Sequence, residues 1–171
     1  GSDLNTMGQH HREMRELQRL MAEDNTNVDV IMPGSEFTPY SAQPRDENIL
    51  ASRSLSWLEG TVYKKPGVFS TGPLFDRIEA VFSKATIYFK KGTAKGLKST
   101  GDALDYFEAA GIEGDYSPVK AKIDGETIRV ESDTVSRITR VRYNWNKNPN
   151  QQLVNMAGLP AVAFRSERAE Y

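Results

Sequence analysis

The chain changes character once, at Lys64-Lys65-Pro66-Gly67, and that break limits what it can fold into. Before it, apolar residues recur at helical spacing. After it, short alternating runs separated by Gly, Asp and Pro dominate. Residues 7–23 place His10, Met14, Leu17 and Met21 on one helical stripe, with Arg12, Glu13, Arg15, Glu16 and Arg19 largely elsewhere. Asn25-Thr26-Asn27 ends that helix. Val28-Asp29-Val30-Ile31-Met32 then reads as a nearly continuous apolar strand of the kind buried in parallel sheets, stopped by Pro33-Gly34. A loop over 34–45 leads to a second helix over 46–63. Its stripe is Leu50, Leu55, Trp57, Leu58 and Val62, and Asp46 and Glu47 suit the positive end of its dipole. One strand makes no sheet, and two helices cannot cover both its faces. Residues 1–65 are therefore expected to be the end of an α/β domain whose earlier strands are missing or come from another chain.

Residues 66–171 are long enough for a self-contained β domain. Candidate strands cover 78–82, 86–89, 106–109, 127–130 and 138–145. In the last, Val141, Tyr143 and Trp145 share one face and Arg140, Arg142 and Asn144 the other. Asp124-Gly125 is a tight hairpin turn. The expected fold is α+β: the end of an α/β domain, with two helices and one strand, followed by an antiparallel β-sandwich.

Charge and composition exclude several functions. Lys plus Arg number 22 against 23 Asp plus Glu, a net charge of −1, so there is no basic excess for gripping phosphate backbones and no nucleic-acid partner is expected. No apolar run approaches the ~18 residues a membrane span needs. The absence of cysteine excludes disulfides, thiolate nucleophiles and cysteine-ligated zinc. The N-terminus carries no charged-then-apolar leader pattern, and Gly1-Ser2 reads as a tag scar, in which case the natural chain begins upstream.

The chemistry-bearing residues are few. His10 and His11 are the only histidines. Lying about 100° apart on a helix, they cannot share a metal without ligands from elsewhere, so no metal site and no cofactor is expected. His10, on the apolar stripe, reads as a partly buried packing residue. Lys90-Lys91-Gly92-Thr93-Ala94-Lys95-Gly96-Leu97-Lys98 fails phosphate-loop spacing, because Gly92 and Gly96 are one residue too close and Leu97 separates Gly96 from Lys98. Tyr143 and Trp145, beside Arg142 and Asn146, could stack on a sugar ring. Strand aromatics more often pack a core, and Arg142 and Arg165 suit salt bridges better than ligand clamps.

The chain ends in Val141-Arg142-Tyr143-Asn144-Trp145, Asn148-Pro149, Leu153, Asn155, Gly158-Leu159-Pro160-Ala161 and Phe164-Arg165. This run resembles the C-terminal end of the sialate O-acetylesterase family, SGNH-type carbohydrate esterases, with its Arg-Tyr-Ala-Trp segment, Gly-Leu-Pro and Pro-Phe-Arg. Arg15-Glu16-Leu17-Gln18, Ser70-Thr71-Gly72-Pro73-Leu74-Phe75, Gly96-Leu97, Phe107-Glu108-Ala109-Ala110 and Lys122-Ile123-Asp124-Gly125 fall in the family's order, so the resemblance runs over about residues 12–166. It implies hydrolysis of sugar acetyl esters, such as those of O-acetyl sialic acid, by a serine in a Gly-Asp-Ser block, with a His base oriented by Asp. It also implies a secreted or periplasmic setting. In this sequence, Ser41 stands at the family's Asp position and Gln43 at its His position, within Ser41-Ala42-Gln43-Pro44. Gln shuttles no proton near neutral pH, and no Gly-Asp-Ser occurs: Gly101-Asp102 is followed by Ala103 and Gly114-Asp115 by Tyr116.

Three functions follow as expectations. The chain is the C-terminal part of such an esterase, residues 1–65 being the tail of its SGNH-like domain and residues 66–171 a β-sandwich accessory domain, inactive alone. Or it is a non-catalytic carbohydrate-binding or scaffold module, a degenerate relic. Or it is an esterase rebuilt with a partner chain, which must then supply both serine and base. The partner expected for residues 1–65 is the missing α/β half or a second copy of this chain, with a carbohydrate as the candidate ligand.

Overall fold

In the computed structural model the described residues are 2–25, 28–32, 45–101, 104–145 and 151–168, with side chains given from His10 and, in the second helix, from Glu47. The first helix forms as α1, Ser2–Asp24. Asn25 closes it by donating Nδ2 to Met21 O at 2.7 Å, satisfying a last-turn carbonyl. The second forms as α2, Arg45–Trp57, and widens into a π-helical turn, Leu58–Val62, closed by the Tyr63 N–H on Leu58 O at 3.0 Å. Residues 28–32 correct the expectation of a strand: they form no ladder with any described residue. Ladder bonds need a neighbouring strand, and the Val30 N–H turns instead to Asp29 Oδ1 at 2.7 Å.

Ten strands follow among the described residues: β1 (Phe75–Val81), β2 (Lys84–Phe89), β3 (Lys98–Ser99), β4 (Phe107–Ala110), β5 (Ser117–Pro118), β6 (Lys120–Asp124), β7 (Thr127–Glu131), β8 (Arg140–Tyr143), β9 (Leu153–Val154) and β10 (Phe164–Arg165). They make two four-stranded sheets, in the orders β1-β2-β7-β6 and β10-β8-β4-β5, and a small pair, β3-β9. Every pairing is antiparallel, so the fold is α+β. The Asp124-Gly125 turn joins β6 to β7 as its sequence predicts, with Asp124 opposite Thr127 and Gly125 at φ +61°.

Period-two patterning decides what is buried. β2 buries Ala85, Ile87 and Phe89, β7 buries Ile128 and Val130, and β8 buries Val141 and Tyr143. These meet Phe107, Ala109 and Phe164 in one cluster fed by both sheets. The edge strand β1 turns Asp76, Arg77 and Glu79 outward and ties them by Arg77 ion pairs, which blunts the edge against further pairing.

The β1–β2 turn is strained. Phe82, its first residue, sits at φ +54° with its ring 76% exposed. Left-handed backbone costs a non-glycine residue about 1–2 kcal/mol, and an exposed ring recovers little of that by burial. Phe82→Gly is therefore expected to stabilise the protein by about 1 kcal/mol, less the entropy glycine adds to the unfolded chain. Chemical denaturation checks it; a loss of more than ~1 kcal/mol would mean the ring packs in solution.

The helix expectations need one correction. The α1 stripe read as buried is open, with Met14, Leu17, Met21 and His10 all exposed. Glu16 and Leu20 are buried instead. A helix can offer only one side to a neighbour, and α1 offers β10 the side whose charges find partners there.

Candidate functional site

The junction between α1 and the sheets is built from charge. Glu16, fully buried, accepts from Arg19 twice, Nε at 2.9 Å and Nη2 at 2.7 Å, and lies 3.9 Å from Arg165 of β10. Burial of both partners makes this a strong coupling, because little water remains to screen it. Arg19 also holds Glu23 at 3.1 Å, and Glu23 holds Lys90 at 3.0 Å. The Arg165 guanidinium lies over the Trp145 ring, 5.3 Å from its centroid, and Arg12 Nη1 donates to Trp145 O at 3.4 Å. Burial, then the neighbouring Arg12 charge, lowers the Arg15 pKa. Beside this network a cavity of about 220 Å³ opens between Phe75, Lys90, Glu23 and Asp29. Its charges are spent within the protein: Asp29 Oδ2 accepts from Trp57 Nε1 at 2.7 Å.

A second charged stack covers the outer face of β8. Arg142 grips Glu108 in a bidentate pair at 2.8 and 3.0 Å and lies 4.0 Å over the Tyr116 ring. Arg140 donates to Gly111 O and Gly114 O and lies 5.4 Å from the same ring. The Tyr116 hydroxyl donates to Glu167, and burial followed by that bond pushes its pKa far up. These groups hold the β4–β5 loop and the segment after β10 onto β8.

The sequence candidates separate accordingly. Ser41, Gln43 and Asn146 lie outside the described residues. Tyr143 is fully buried and Trp145 is 8% exposed, so both rings serve as packing residues, the more ordinary of their two readings. The Tyr143 hydroxyl accepts from the Leu153 N–H at 3.2 Å, and burial pushes its pKa up to about 12. Arg142 is committed to Glu108, and Arg165 to Glu16 and Trp145. The Lys90–Ser99 stretch is a packed turn: Ala94 and Leu97 are buried, and Thr93 Oγ1 donates to Lys90 O and accepts from the Leu74 N–H. His10 sits 3.9 Å from Glu13 on the open side of α1. Among the described residues no serine is hydrogen-bonded to a histidine, and no three His, Asp or Glu side chains group as a metal site. No helix of the described residues is long and apolar enough to cross a membrane.

A further groove is open. It holds about 490 Å³ between the β4–β5 loop and the segment leading into β8, lined by Asp115, Thr134, Ser136 and Arg137. Arg137–Thr139 is pinned on both sides, Ile138 N–H to Phe82 O at 2.7 Å and Thr139 N–H to Ala110 O at 2.9 Å. Asp115 and Arg137 have no hydrogen-bond or ion-pair partner among the described residues, unlike the other arginines whose side chains are described. A fixed wall with an uncommitted anion, an uncommitted cation and hydroxyls suits a polyhydroxyl ligand.

Sequence reasoning missed the structural role of Asn155. This buried amide joins three turns through four hydrogen bonds. Nδ2 donates to Thr71 O at 2.9 Å and Thr93 O at 3.1 Å, and Oδ1 accepts from the Ala157 and Leu159 N–H groups at 3.1 Å each. Around it the chains pass so closely that a Cβ on Gly72 would lie 1.9 Å from Pro160 O.

This turn-locked β architecture, with helices docked by α1 on β10, can be compared with known proteins. No family model matches the chain. No curated protein matches it. Six chains of solved structures do. The likeness is to a carbohydrate acetylesterase. That enzyme, from Xanthomonas citri, superposes with a TM-score of 0.69 at 28% sequence identity over 77% of this chain. The chain spans 30% of the length of that acetylesterase. The fold of this chain is thus carbohydrate-esterase-like over most of its length.

Proposed function

We propose that this chain is the C-terminal portion of a sialate O-acetylesterase-like carbohydrate esterase and does not hydrolyse esters by itself. Residues 1–65 are then the tail of an SGNH-like α/β domain, and residues 66–171 an accessory β-sandwich. The observation that carries the reading is the likeness to the Xanthomonas citri acetylesterase, which matches this chain over less than a third of its own length. The end motif from Val141 to Arg165 gives the reading its sialate-type direction. Inactivity follows from chemistry. The sequence has no Gly-Asp-Ser block, and Ser41 and Gln43 replace the Asp and His that would orient and carry the proton. Without nucleophile and base, bound ester gains only a small residual acceleration. With 4-nitrophenyl acetate the purified chain should give the buffer rate. Turnover that survives repurification and disappears on one Ser→Ala change would overturn this.

The second reading, a non-catalytic carbohydrate-binding module, is favoured by the groove at Asp115 and Arg137. It requires saturable binding of a sugar panel that Arg137→Ala abolishes. The esterase-portion reading does not depend on that result.

A further inference from the structure

The β1–β2 hairpin carries a residue that its turn does not ask for. Val81 pairs with Lys84, so the loop is Phe82 and Ser83, and the positive φ falls on Phe82, at +54°, and not on Ser83. A two-residue hairpin loop of that kind calls for glycine at its first position. Phe82 bears the strain with its ring 76% exposed and outside the core cluster. A strained residue that gains nothing by burial points to a task outside the fold. The turn is also tied to a neighbour. The Phe82 carbonyl accepts from the Ile138 N–H at 2.7 Å, and the Ser83 carbonyl from the Ser132 N–H at 2.9 Å. Both ends of the 132–138 loop, one wall of the groove at Asp115 and Arg137, are thereby fixed to it. The opposite wall, the β4–β5 loop, is held by Arg140, which donates to Gly111 O at 2.7 Å and Gly114 O at 2.8 Å. It presents Ile112, also 76% exposed. An exposed ring thus adjoins a groove whose two walls are both fixed in advance of any ligand.

We infer that Phe82 is the stacking platform of a glycan site whose polar half is this groove, and that the ligand is a neutral chain of at least two sugar units. The inference deepens the binding-module reading above and rests on it. A sugar offers an apolar C–H face and a rim of hydroxyls; an exposed ring suits the first and uncommitted polar groups the second. Charge selects a neutral ligand. Asp115 and Arg137 are the charged side chains among the described residues lining the groove, one of each sign, and neither is paired. A carboxylate accepts from hydroxyls and a guanidinium donates to them, so both are satisfied by one uncharged polyhydroxyl ring. A carboxylated sugar drawn to Arg137 would bring a second anion into the groove that Asp115 lines. A protein surface packed into the groove would desolvate two separated charges with no hydroxyls to meet them, which costs more than the apolar contact returns. Length follows from position. Phe82 is joined to the groove through Ile138 and does not itself line it, so reaching both takes more than one sugar ring.

The test screens the full chain on a printed array of neutral gluco-, manno-, xylo- and galacto-oligosaccharides with their uronic- and sialic-acid counterparts, and titrates the tightest binder by calorimetry. A neutral tetrasaccharide is expected to bind at least about tenfold more tightly than its single sugar unit. Phe82→Gly is expected to weaken that binding about tenfold, although the same change relieves the turn. Phe82→Asn, which tolerates the left-handed backbone but has no ring, is expected to do the same. Phe82→Tyr, which keeps a ring, is expected to hold the parent affinity within about twofold. Three results overturn the inference and leave the binding-module reading standing: a glycan bound through Arg137 with an affinity that Phe82→Gly and Phe82→Asn do not change, equal affinity for the single unit and the tetrasaccharide, or preference for the acidic counterparts. Absence of saturable binding to every glycan on the array, or binding that Arg137→Ala leaves intact, strikes the binding-module reading and the inference with it. The esterase-portion reading depends on none of these results.

Discussion

Phe164→Ala is expected to lower stability by about 4 kcal/mol, within the 3–5 kcal/mol range of buried Phe truncations, and Tm by roughly 10–15 °C. Phe164 is one of two residues in β10, yet its ring is fully buried where the two sheets meet. It stacks on Phe75 at 4.6 Å, meets Phe89 edge-on at 6.3 Å and lies 5.8 Å from Tyr143. Removing it costs transfer free energy and leaves a cavity between strands of different sheets, β1 and β2 on one side and β8 on the other. Those walls are held by their own ladders, so they cannot collapse to fill it. The neighbouring Arg165 carries the contact to Glu16, so displacement of β10 should also loosen α1. Thermal unfolding with helix and aromatic signals followed separately checks this. A loss below ~1.5 kcal/mol would mean the aromatic cluster can repack.

What the sequence made legible is what local patterning controls. Alternation in β8 correctly put Val141 and Tyr143 on one buried face, and Asp124-Gly125 marked its hairpin, because both signals act over a few residues; the strand expected to run on to Trp145 stops at Tyr143, where Asn144 turns to φ +57° and is itself fully buried. The existence of α1 and α2 was legible for the same reason. Which side of α1 is buried was not. Its hydrophobic stripe is real, but the docking is decided by Arg165 and Trp145, far along the chain, which capture Glu16 and Arg12. Two-residue strands such as β3, β9 and β10 carry no periodicity to read; tertiary contacts create them. As for the site, Ser41 and Gln43, the positions the resemblance points to, lie outside the described residues. The groove at Asp115 and Arg137 was invisible, because it is formed by loops brought together by the Phe82, Ala110 and Ile138 backbone.

Asn155 belongs to the motif that ends the sequence, and its energetic importance appears only in three dimensions. It yields the other large expected effect. Asn155→Asp keeps shape and both acceptor bonds, to the Ala157 and Leu159 N–H groups, but removes both donors. An ionised carboxylate oxygen would then face the carbonyl oxygens of Thr71 and Thr93 at the positions now 2.9 and 3.1 Å from Nδ2. Two buried carbonyls lose their partners, at roughly 1–3 kcal/mol each, and repulsion between like dipole ends and charge adds to that. The expected loss at pH 7 is about 5 kcal/mol, larger than for Asn155→Ala, which leaves the same carbonyls unpaired without an added charge. The pH dependence separates the two variants. Burial against carbonyl oxygens raises the new carboxyl's folded-state pKa above its unfolded value of about 3.9. A group raised on folding favours the folded state below its unfolded pKa and loses that contribution as pH rises through the folded one. The deficit of Asn155→Asp relative to the parent chain should therefore shrink by at least ~1 kcal/mol between pH 7 and pH 4.5, while that of Asn155→Ala stays constant. Paired denaturant titrations at the two pH values measure both differences. Equal, pH-independent losses for the two variants would mean that water, rather than the amide of residue 155, satisfies those carbonyls.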